Sequence, residues 1–125
     1  MQTSARPTYH HGNLRQAILD AAGALVQEVG VEAMTLRAAA RRAGVSSGAP
    51  FRHFATKRDL VLALAEEGMA RLRQAIETAL AAAPQCSPPA RLALLGAAYV
   101  DWAADNPAHY RVLGDRLLID FYHSK

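Results

Sequence analysis

Residues 36–54, LRAAARRAGVSSGAPFRHF, decide how this chain folds. Leu36, Ala39, Ala40 and Ala43 put small or apolar groups on one face of a helix, at three- and four-residue spacing. Gly44 follows at once and supplies the positive φ that ends a helix and turns the chain. Val45 is placed to enter the core beneath that turn. Either Ser46 or Ser47 can then cap a second short helix by accepting a hydrogen bond from an orphan backbone N–H. Two helices meeting at a tight turn need a small contact residue, and Ala40 supplies it. The second helix carries Arg52 and His53 but no acidic residue, which suits a phosphate-lined groove. The stretch reads as a helix-turn-helix for DNA.

Charge follows the same division. Residues 1–60 hold eight Lys/Arg against four Asp/Glu, a net +4, whereas residues 61–125 hold six against seven, a net −1. The footprint for a polyanion therefore lies on the amino-terminal half. With 125 residues, 51% of them hydrophobic, the chain can build one ordinary domain, or a small head and part of a second. Its richness in Ala and Leu favours helix. The one cysteine, Cys86, excludes an intramolecular disulfide and suits a reducing cytoplasm. No signal-peptide pattern is visible and no apolar stretch approaches a membrane span, so no membrane partner is expected. His10 and His11 are adjacent, so they diverge, and no Cys or acidic residue stands at ligand spacing; no metal is expected. Serines and histidines share no motif with a partnering acid, and no glycine-rich phosphate loop is present. Neither an enzyme nor a cofactor is expected.

Outward from the motif, residues 1–12 read as a flexible arm. Asn13 fits an N-cap, with Gln16 placed to complete a capping box. Leu14, Ile18, Ala21, Leu25 and Val29 trace one face of a first helix, which Gly30 closes. Thr35 caps the second helix. Residues 57–83 read as one long helix with Leu60, Leu64, Met69, Leu72, Ile76 and Leu80 as its apolar stripe, weakened at Gly68 by about 1 kcal/mol relative to alanine. Residues 84–89, PQCSPP, form the clearest linker. A helix over 90–105 turns Leu92, Leu95, Tyr99 and Trp102 inward. Asn106-Pro107 breaks it, and Pro107 starts a sixth helix carrying Tyr110, Leu113, Leu117 and Leu118. The expected fold is all-α: a three-helix DNA-binding head over 13–58, joined by a long fourth helix to a partial helical body over 59–125.

With these elements in place, the chain resembles the tetracycline-repressor (TetR) family. The residues that carry the match are Gly30, Thr35-Leu36-Arg37, Ala40, Ala43-Gly44-Val45-Ser46, Gly48, Phe51, His53-Phe54, Lys57 and Leu60, within residues 13–64. Trp102, Asn106-Pro107 and Tyr110 are similar to the corner between helices five and six of a common subgroup, and residues 9–14, YHHGNL, to its entry sequence. The resemblance implies a homodimeric bacterial repressor that binds a palindromic double-stranded operator and is released by a small-molecule effector. It implies that Thr35 and Lys57 bind phosphates and that Arg37 reaches a base edge or a phosphate. Ser46, Ser47, Gly48, Ala49, Phe51, Arg52 and His53 would line the recognition surface. Tyr99, Trp102 and Tyr110 either wall an apolar ligand pocket or pack as core.

The chain also departs from that family. A tyrosine whose hydroxyl usually meets a phosphate is Phe51 here, without a hydroxyl. A usual leucine is Pro50, which fits only the first turn of a helix and so requires the recognition helix to start at Ser46 or Ser47. Family members continue through further helices that form their dimer interface, whereas this sequence stops soon after helix six begins. A second reading therefore stands beside the regulator: a truncated helical protein acting as an interaction module or fragment, without autonomous operator binding.

Overall fold

The structure, a computed structural model, describes residues 11–115. Among them it forms α1 (His11–Ala33), α2 (Leu36–Ala43), a 3₁₀ turn (Ala49–Arg52), α3 (Lys57–Ala81), α4 (Pro88–Asp105) and α5 (Pro107–Leu113). No strand occurs among the described residues, so the fold is all-α as composition implied. None of the described helices is long and apolar enough to cross a membrane. The chain divides into two compact units, Met1–Ala63 and Leu64–Lys125, with the division inside α3. Most of the expected arm lies outside the described residues, as do Tyr9 and His10 of the entry sequence and Leu117 and Leu118 of the sixth helix.

In the first unit, α2 forms because both its ends are satisfied locally. Thr35 is extended, and its Oγ1 accepts from the Ala38 N–H at 3.0 Å. At the other end Gly44 takes φ 75°, and the Val45 N–H reaches the Ala40 carbonyl at 3.0 Å. Leu36, Ala39 and Ala40 are buried, as their spacing implied, and α2 packs on α1. The buried face of α1 differs from the expected stripe. Leu14, Ile18 and Ala21 are inside, joined by Leu19, Ala22 and Val26, while Leu25 is half-buried and Val29 is exposed. Gly30 breaks the helical path at φ 87°, ψ 167°, and the chain beyond it buries Val31 and Met34 in place of Val29. Because α1 starts at His11, Asn13 lies inside the helix and does not cap it. Gln16 donates to Asp20 at 2.9 Å and does not close a capping box.

In the second unit, Ser87 caps α4 by accepting from the Ala90 N–H at 3.4 Å, so the helix starts before residue 90. Ala98 and Trp102 are buried, whereas Leu92 and Tyr99, both expected inward, are exposed. Asn106 makes the corner: its backbone N–H and its Nδ2 both donate to the Trp102 carbonyl, at 2.8 and 3.0 Å. Its Oδ1 accepts from Arg71 of α3 at 2.9 Å. Three residues on from the corner, His109 Nε2 donates to the Glu67 carboxylate at 2.8 Å, and His109 is only 8% exposed. This approach of α5 to α3 explains Gly68, since a Cβ there would stand 2.8 Å from the Cβ of His109.

Three consequences can be measured by urea denaturation. Gly96 of α4 has open space around the position of a Cβ. Gly96→Ala should therefore gain the helix propensity of alanine, up to about 1 kcal/mol. At Gly68 overpacking of about 1–3 kcal/mol outweighs that gain, so Gly68→Ala should destabilise. Thr35→Ala should cost about 1 kcal/mol through the lost cap, and Thr35→Ser should retain most of it.

Candidate nucleic-acid interface

The segment after Gly44 is pinned from inside. Ala49 and Pro50 are buried at the start of the 3₁₀ turn, and Phe54 is buried just beyond it, 2% exposed. The Arg15 guanidinium lies 5.3 Å from the centroid of the Phe54 ring, over its face. The Pro50 carbonyl accepts from the N–H groups of His53 and Phe54 at 3.0 and 2.9 Å. Between these anchors Phe51, Arg52 and His53 are all exposed, and Ser46, Ser47 and Gly48 are exposed before them.

Three expectations change here. The recognition element is a single 3₁₀ turn that starts at Ala49, not at Ser46 or Ser47. Gly48 occupies its N-cap and no side chain caps it, so neither serine plays that part. Proline at the first turn and the inward course of Phe54 leave room for no longer helix. Ala49 is 6% exposed and anchors the turn, so it does not share the outward face with its neighbours.

Arg37 lies on the exposed side of α2. With Arg41, Val45 and Ser47 it lines an open groove of about 460 Å³. Arg41 was not among the site residues expected from sequence, where it reads as a solvated or loosely phosphate-facing residue. The signal that could have found it is its position four residues after Arg37, on the same helical face. Arg42 instead pairs with Glu28 of α1. Lys57 begins α3, and its Nζ donates to the Glu32 carbonyl at 2.7 Å, which fixes its charge at the end of α1. Thr56 caps α3, its Oγ1 accepting from the Asp59 N–H at 3.2 Å. Thr35 faces solvent with its oxygen engaged in the α2 cap. Across residues 35–58 the chain carries six Lys/Arg and no acidic residue, so the surface is basic throughout.

The expected aromatic residues of the second unit do come together. The Tyr99, Trp102 and Tyr110 ring centroids are 5.7, 6.3 and 6.4 Å apart. With Met69, Leu72 and Leu113 they line an open cleft of about 630 Å³. Trp102 is 3% exposed, and its buried indole N–H has no hydrogen-bond partner among the described residues. Tyr99 and Tyr110 are exposed at the cleft wall. His109 and Glu67, which brace α5 beside this cleft, were missed from sequence. The position of Gly68 next to Glu67 was the available sign of a close approach.

Residues 18–64 match a family described as bacterial regulatory proteins, tetR family. The chain is 42% identical over 64 residues to the HTH-type transcriptional repressor AcnR of Corynebacterium glutamicum, covering 51% of this chain and 34% of that protein. It is 36% identical over 94 residues to the HTH-type transcriptional regulator BetI of Serratia proteamaculans, covering 75% of this chain and 48% of that protein. A solved protein of unknown function from Rhodococcus sp. RHA1 shares its fold at a TM-score of 0.68 and 42% identity, covering 87% of this chain and 54% of that one. The chain thus spans between 34% and 48% of the length of these curated relatives. Residues 18–64 of this chain thus form a domain of the tetR family of bacterial regulatory proteins.

Proposed function

We propose that the protein is a cytoplasmic, DNA-binding transcriptional repressor without enzymatic activity, working as a homodimer on a palindromic operator. The observation that carries this reading is the pinned turn, whose exposed Phe51, Arg52 and His53 stand on a basic, acid-free surface. A B-DNA major groove admits an element of this size, and two copies would read two half-sites one helical turn apart. Arg52 and His53 meet base edges or phosphates, with Ser46, Ser47 and Gly48 beside them. Arg37 and Arg41, in their shared groove, take the flanking phosphates. Thr35 and Lys57 hold the backbone at the starts of α2 and α3, where the helix dipoles add to the attraction for an anion.

The cleft of Tyr99, Trp102 and Tyr110 is the proposed effector site. Rings and apolar side chains line it together with Arg111 and Asp115, and a ligand acceptor that reached the Trp102 N–H would satisfy a buried group that has no partner among the described residues. Such a ligand would release the operator only if it bound the DNA-free form more tightly than the DNA-bound form. The exposure of Leu92 (70%) and Val100 (63%) on α4 favours a second reading, an interaction module that works through a partner and not through an operator.

Sedimentation of the purified chain, together with selection from a random duplex library, separates the two. A dimer that enriches a palindrome supports the repressor. A monomer that enriches nothing supports the module. On the enriched duplex, Lys57→Ala should weaken binding to all sequences alike and reduce the slope of log K against log salt by about 1. Arg52→Ala should cost about 1–3 kcal/mol and relax preference at one base pair. Unchanged binding curves in both variants would remove these two residues from the interface.

A further inference from the structure

Phe51 is a large apolar side chain with half of its surface open, 50% exposed, and it precedes two polar residues on the outward face of the 3₁₀ turn. Ala49 and Pro50 of the turn and Phe54 just beyond it are all buried. Among the described residues Phe54 is engaged with His53 and Arg15, while Phe51 has no ring or cation partner. Exposure of Phe51 is therefore set by the turn: the inward anchors at positions 50 and 54 force position 51 outward.

We infer that Phe51 is a specificity-determining residue that reads the methyl group of a thymine. This rests on the proposed entry of the turn into the major groove. A phenyl ring has no polar atom with which to hold a phosphate or a base donor. The apolar group that base pairs present in the major groove is the thymine C5 methyl, and it distinguishes thymine from cytosine at the same position. Ring and methyl exclude water from each other, so the contact is sequence-dependent, whereas Lys57 and the α2 arginines act on phosphates that every sequence shares. The adjacent Arg52, one residue along the same turn, carries the donors for a neighbouring base, so apolar and polar readout sit side by side.

The test removes the methyl and nothing else. The full chain is first used to select a duplex from a random library, and each thymine of the selected duplex is then replaced singly by deoxyuridine. At one thymine per half-site the wild-type chain should lose about fourfold in affinity, the value of one methyl group returned to water. Phe51→Ala should bind the thymine and deoxyuridine duplexes equally. At that position cytosine should also bind weakly, and 5-methylcytosine should recover part of the loss by restoring the methyl. Circular dichroism of Phe51→Ala should match the wild type, because the side chain is exposed; Phe51→Leu, still apolar, should keep part of the discrimination. A flat deoxyuridine scan, or a deoxyuridine penalty that persists in Phe51→Ala, overturns the assignment while operator binding stands. Failure of the library to enrich any sequence overturns operator binding itself, and the thymine contact with it.

Discussion

The backbone reversal at Gly44 is the constraint on which the outward surface of the first unit depends. A Cβ at that position would meet no atom within 4 Å, so the requirement for glycine is purely one of φ, which is 75°. A residue with a Cβ resists that conformation by roughly 1–2 kcal/mol. The reversal lets the Val45 N–H reach back to the Ala40 carbonyl, and this bond sets the direction in which the chain leaves α2. Pro50 then fixes the next φ within the first turn of the 3₁₀ segment. Between these two restricted residues and the buried Phe54, the exposed triplet has little freedom left. Its order comes from folding, so a ligand that meets it need not supply the entropy of arranging it.

Charge on this surface is arranged as well as abundant. Of the six basic residues over 35–58, two are held by the end of α1: Arg42 by the Glu28 carboxylate and Lys57 by the Glu32 carbonyl. An exposed ion pair adds little stability, so the Arg42–Glu28 contact matters mainly for where the guanidinium points. Glu28 also takes Arg42 away from the groove that Arg37 and Arg41 share with Ser47. The result is a divided surface, with a two-arginine groove on α2, a mixed apolar and basic turn, and a lysine fixed at the start of α3. Such a division fits a ligand whose charged and uncharged features alternate, as phosphates and base edges do along a groove.

The parts of this arrangement that were legible in the sequence are those that local chemistry decides. Thr35 as cap, Gly44 as αL terminator, Gly30 as break, and Leu36, Ala39 and Ala40 as the inner face of α2 all follow from rules spanning four or five residues. What was not legible depends on partners distant in sequence. Ser46 and Ser47 are good capping residues, yet burial of Ala49 and Pro50 moved the start of the turn past them. Leu92 and Tyr99 fit an inward stripe on α4, but which stripe is buried depends on what packs against it, and only Ala98 and Trp102 are covered. Val29 continues the α1 stripe, but the chain redirected at Gly30 buries Val31 and Met34 and leaves Val29 exposed.

The second unit shows how far such long-range contacts reach. Glu67 and Arg71 stand one helical turn apart on α3 and grip His109 and Asn106 of the next elements. The Glu67–His109 contact is part-buried and the Arg71–Asn106 contact is exposed, so together they specify one docking of α5 more than they add stability. Gly68 permits the approach, and the polar bonds set its register. From there the geometry passes directly to the aromatic cleft. Tyr110 follows His109 in sequence, and the Trp102 carbonyl is held twice by Asn106. The positions of both rings therefore derive from a polar cluster that lines no part of the cleft, which makes Glu67 and His109 determinants of its shape even though neither touches its contents.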